Sequence, residues 1–113
     1  MNGIDRINWR KKDGIKNLIQ FTDEINKIRP TIDKIIIFGS AIRDDCRIKS
    51  DIDICLFTEY KTNDELFFKY YSNIENVTNS LCDIWVYKRL KDTHNIKNVI
   101  DSEGVVVYEY KPN

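Results

Sequence analysis

Proline and glycine are scarce in this chain of 113 residues, which holds two of the first and four of the second. So low a share excludes collagen-like and linker-like sequence and implies short connections between regular elements. An excess of charge of one sign is also absent. Eighteen basic and eighteen acidic side chains cancel to a formal net charge of zero. The broad basic surface behind most non-specific nucleic-acid affinity is therefore missing, so nucleic acid is not the expected partner and any anion site must be local. No apolar run exceeds four residues, against the roughly 20 that a membrane-spanning helix needs. The N-terminal segment is polar and charged, without the apolar stretch of a secretion signal. Cys46, Cys55 and Cys82 are odd in number and show no CxxC pairing, which speaks against a disulfide framework or a zinc site. The expectation is a chain of the reducing cytoplasm, without membrane contact.

What the chain has in quantity is branched apolar side chains. Ile, Val, Leu and Phe supply 34 of the 113 residues, and 18 of them are Ile, enough to bury a core and favourable to strands. The length suits one domain over residues 1–113. Leu18, Phe21, Ile25 and Ile28 mark one face of a helix over about residues 14–30, ended by Pro30. Residues 33–38 and 51–57 read as strands joined by a charged turn. Thr62 and Glu65 form a capping-box signature, and Phe67, Tyr70, Ile74, Val77 and Leu81 continue it as one helix with a long apolar stripe. Residues 82–87 are a third strand, 93–102 a helix closed by Gly104, and 105–110 a last strand. The fold class is α/β (α+β): a small mixed β-sheet flanked by helices.

The chemistry concentrates after the second element. The strand Ile35-Ile36-Ile37-Phe38 is followed by Gly39-Ser40, ten further residues, and then Asp51-Ile52-Asp53. Strand side chains alternate, so Asp51 and Asp53 share a face while Ile52 and Ile54 enter the core. Their Cα atoms, about 6.5 Å apart at the strand rise, can bracket one Mg²⁺ or a pair of metals, and hard cations prefer such oxygen ligands. Asp83 opens the next strand in an apolar segment, where a lone carboxylate would need a partner or a metal. Gly39 lets the backbone turn and approach a ligand closely. Ser40 supplies a hydroxyl and opens a short helical turn whose free amides suit a phosphate, and Arg43 can reach the same anion. A phosphate cradle beside carboxylates and a cation has the parts for phosphoryl or nucleotidyl transfer.

In these residues the sequence resembles the minimal nucleotidyltransferases of the DNA polymerase beta superfamily. The resemblance runs from about Asp33 to Tyr110 and rests on the strand, Gly39-Ser40, the spacer of ten and Asp51-Ile52-Asp53. It implies the polymerase-beta-type fold and an enzyme that moves AMP from ATP to an acceptor hydroxyl with release of pyrophosphate. Gly39, Ser40 and Arg43 would hold the nucleotide, Asp51, Asp53 and Asp83 would bind Mg²⁺, and Asp83 would activate the acceptor. Ala41 and Asp44 stand where family members often carry a second basic residue and a glycine. The family is also similar to MNT antitoxins, which adenylylate a tyrosine of a HEPN toxin. A lone domain without an acceptor lobe suits that role, and an assembly with itself or with the toxin is compatible with it.

Two alternatives stand beside this reading. One is a non-catalytic antitoxin that neutralises its partner by surface contact. The other is a nucleotidyltransferase acting on a small molecule or an RNA end. The lone histidine, His94, reads as a solvated residue, and Cys55 and Cys82 as core, with Cys46 in the turn and open to exposure. Phe68 and Tyr71 are left over for a neighbouring helix or partner. Arg6, Arg10, Lys11 and Lys12 read as a solvated face, with guidance of an acidic partner or a nucleic-acid acceptor as the alternative.

Overall fold

The structure, a computed structural model, describes residues 3–59, 64–92 and 94–112. Helix α1, Trp9–Ile28, is followed by strand β1, Lys34–Phe38, and strand β2, Ile52–Phe57, with a 3-10 turn, Gly39–Ile42, leaving β1. Helices α2, Glu65–Ser72, and α3, Ile74–Thr78, lead to β3, Cys82–Val86. Helix α4, Asn95–Glu103, and strand β4, Val105–Glu109, complete the chain. The four strands lie in the order β3-β2-β1-β4. β1 runs antiparallel to both neighbours, while β2 and β3 are parallel, so the sheet is mixed, as expected.

Alternation along the strands divides the core into two layers. Ile35, Ile37, Ile52, Ile54, Leu56, Val105 and Val107 pack with Ile15, Leu18 and Ile25 of α1, Phe67 and Tyr70 of α2 and Ile74 of α3. The opposite face carries Ile36, Phe38 and Cys55 under Ile100 of α4. Asp53 shares the face of Cys55 by strand alternation. The site acids therefore belong to the α4 face, at the end where β2 begins.

Three elements differ from the sequence expectation. The first helix starts at Trp9, with Asn8 accepting from Arg10 N at 3.0 Å as its N-cap, and ends before Pro30, whose preceding residue is steered out of the helical region. The single helix expected over residues 62–81 is two helices. Asp64 caps the first by accepting from Phe67 N at 3.0 Å, and Thr62 of the expected capping box lies outside the described residues. Asn73 (φ −106°, ψ 0°) separates the two, its side chain donating to Lys69 O at 2.7 Å. Leu81, taken as the end of the apolar stripe, is 67% exposed. Gly104 does follow α4, but at φ −62°; a Cβ there would collide with Ile36 Cγ2 and Ile100 O. The glycine answers close packing of α4 on the sheet, not a left-handed turn.

Candidate functional site

Strand register assembles the site. Phe38, the last residue of β1, lies opposite Asp53 of β2, and Asp53 lies beside Asp83 of β3. Gly39 follows Phe38 with φ +73°, the left-handed region that favours glycine. A Cβ at Gly39 would collide with Asp53 Oδ2. The turn is thus pressed against the central carboxylate, and Ser40 stands next on the same 3-10 turn. Asp51 is exposed and precedes the first residue of β2, while Asp53 is half-buried and Asp83 exposed.

The electrostatics follow from this crowding. The Asp53 carboxyl is pushed up from 3.8 to about 6, first by burial and then by the negative charge of Asp83. The nearness of the Asp83 side chain and the charge of Asp51 raise it further, and Arg43 opposes them. A raised proton affinity among clustered carboxylates is the behaviour expected of groups that gain from a cation. All of these donors are hard oxygens, which suit Mg²⁺. Among the described residues, no group of three or more His, Cys, Asp or Glu side chains is gathered to hold a metal ion; the close pair is Asp53 with Asp83. Arg43 is half-exposed and pairs with Asp45 at 3.4 Å, and its charge still reaches Asp53.

Other residues brace the site without having been marked as functional in the sequence. Asn8 N donates to Ala41 O at 2.7 Å and Asn8 Nδ2 to Arg43 O at 2.8 Å, so the segment before α1 holds the Gly39–Ile42 turn. An Asn ahead of an amphipathic run signals an N-cap, but nothing local shows that it also reaches residues 41 and 43. His94, expected to be solvated, is exposed and caps α4, its Nδ1 accepting from Ile96 N at 3.1 Å. Cys46, left open to exposure, is buried. Lys11 is buried too and leaves the basic face assigned to it.

The sequence matches the family described as polymerase beta, nucleotidyltransferase, over residues 15–113. No curated protein matches it. Among solved structures, a mutant of the toxin–antitoxin MntA–HpeT complex aligns with TM-score 0.60 at 13% identity, over 86% of this chain and 72% of that one. The tri-AMPylated Shewanella oneidensis HEPN toxin in complex with MNT antitoxin aligns with TM-score 0.57 at 14% identity, over 86% and 73%. At these identities the likeness is one of fold. With a family match across most of its length and the mixed sheet that sets Gly39 against Asp53 and Asp53 beside Asp83, this chain belongs to the polymerase beta nucleotidyltransferase family.

Proposed function

We propose that the chain is a Mg²⁺-dependent nucleotidyltransferase that moves AMP from ATP to a tyrosine hydroxyl of a HEPN toxin and so acts as its antitoxin. The observation that carries the chemistry is the packing of Asp53 between the Gly39 turn and Asp83, with its proton affinity raised by both burial and charge. The partner is supported by the fold likeness to complexes of MNT antitoxin with HEPN toxin.

In this reading Asp51, Asp53 and Asp83 hold the cation, which when bound offsets charge on the phosphates. Gly39 and Ser40 hold the phosphates and Arg43 adds a cationic contact. The acceptor oxygen bonds to the α-phosphorus as the bond from that phosphorus to the bridging oxygen breaks. Pyrophosphate leaves, and the acceptor proton passes to Asp83. The protein's contribution is positioning and electrostatics. Incubation with labelled ATP, Mg²⁺ and a purified HEPN toxin should label the toxin, and Asp51→Ala plus Asp53→Ala should reduce labelling by about 10²-fold or more. Equal labelling by both would refute the assignment.

Ala41 favours a second reading, a binding module with a vestigial site. It occupies the place of the family's second basic residue and is fully buried, 0% exposed, an environment that disfavours a cationic side chain. Stabilisation by ATP and Mg²⁺ together, about 2.7 kcal/mol at a hundredfold excess over Kd and read as a rise in melting temperature, would show a site competent to bind and weigh against a vestigial one. No shift would favour it.

A further inference from the structure

Lys11, in the first turn of α1, is 5% exposed. Burying an ammonium is unfavourable unless its protons find acceptors. None of the ion pairs among the described residues includes it. Its Nζ instead donates to Ile48 O at 2.8 Å and to Ser80 Oγ at 3.2 Å. These acceptors lie on two segments far apart in sequence. Ile48 stands three residues before Asp51, and Ser80 three residues before Asp83.

The three acids do not need this contact equally. Asp53 and Asp83 are fixed by the ladder between β2 and β3, whereas Asp51 lies just outside it. The position of Asp51 depends on the lead-in turn, closed by Ser50 N to Arg47 O at 3.0 Å and Arg47 N to Ser50 Oγ at 2.9 Å. Lys11 joins that turn to the other lead-in, and just beyond the turn Ile52 N donates to Leu81 O at 3.0 Å. We infer that Lys11 is a positioning residue of the candidate site, its ammonium joining the approach to Asp51 to the approach to Asp83 and so setting the reach of the Asp51 carboxylate. Lys11 precedes residues 15–113, which carry the family match. The inference rests on the proposed cation site and adds a residue that acts through it.

The test is Mn²⁺ binding, followed by electron paramagnetic resonance, in the intact chain and in Lys11→Met, Ser80→Ala, Asp51→Asn and the double variant Lys11→Met with Asp51→Asn. Lys11→Met should weaken Mn²⁺ binding about tenfold, as loss of an outer-sphere support does. Ser80→Ala should weaken it less, in the same direction. The double variant should bind no more weakly than Asp51→Asn alone, because the lysine acts through that carboxylate. Unchanged affinity in Lys11→Met, or additive losses in the double variant, overturns the inference while leaving the cation site in place. If Lys11→Met does not fold, unchanged affinity in Ser80→Ala overturns it equally. An intact chain that binds no Mn²⁺ removes the cation site itself, and the role of Lys11 with it.

Discussion

Asp53 has neighbours on both sides that no local pattern could supply: Phe38 on the antiparallel side and Asp83 on the parallel side. Its carboxyl titrates near 6 in the fold, against an ordinary 3.8, so the folded chain holds this proton more tightly than the unfolded chain does. The resulting stability is complete below about pH 4 and is lost as pH rises through about 6. Metal-free protein should therefore lose on the order of 1 kcal/mol between about pH 4 and pH 7, after discount for the solvent that reaches the group. Calorimetry in EDTA should show this slope in the intact chain and a flatter one in Asp53→Asn. Parallel slopes would remove the electrostatic account of the site. Gly39, Ser40, Asp51 and Asp53 could be singled out from the sequence because their short spacing and the alternation of a strand concern neighbouring residues only. Lys11 was not legible, because its acceptors lie 37 and 69 residues away.

Helix α1 shows how packing overrides a local signal. The apolar spacing puts the start of the helix near Gly14, yet this residue lies well inside Trp9–Ile28, although glycine weakens helix interiors. A Cβ at this position would sit 2.5 Å from Thr78 O at the end of α3, so the glycine permits the close approach of the two helices. Gly14→Ala should gain about 1 kcal/mol of helix propensity and lose more to the collision. Urea denaturation should show a net loss of stability; a net gain would mean that the helices separate freely. The split between α2 and α3 was hidden for a related reason. The spacing of Phe67, Tyr70, Ile74 and Val77 suits one continuous helix, and all except Val77 are buried. The break at Asn73 comes from a side chain that competes for a backbone carbonyl, and the left-handed Asn79, φ 53°, then ends α3.

Across the whole molecule the sheet is a partition. Ile52, Ile54 and Leu56 are fully buried on the side of α1, while Asp53, between two of them in sequence, turns to the other face. Ile54→Ala should cost about 3 kcal/mol in urea unfolding. Asp51→Ala plus Asp53→Ala should leave the fold at least as stable as before, because repulsion is relieved. A comparable loss from both would mean that the acids belong to the core after all. Among the described residues no helix is long and apolar enough to cross a membrane, in keeping with the short apolar runs of the sequence. The sequence alone determined which residues alternate, which faces are apolar, and that two carboxylates follow a Gly-Ser turn, because these depend on the chain's own periodicity. Only the tertiary structure decided that Asp83 stands beside Asp53, that Asn8 supports the turn, that α1 touches α3 at Gly14 and that Lys11 joins two loops. Each of these is a contact between distant segments, set by strand order and layer packing, and local propensity carries no record of either.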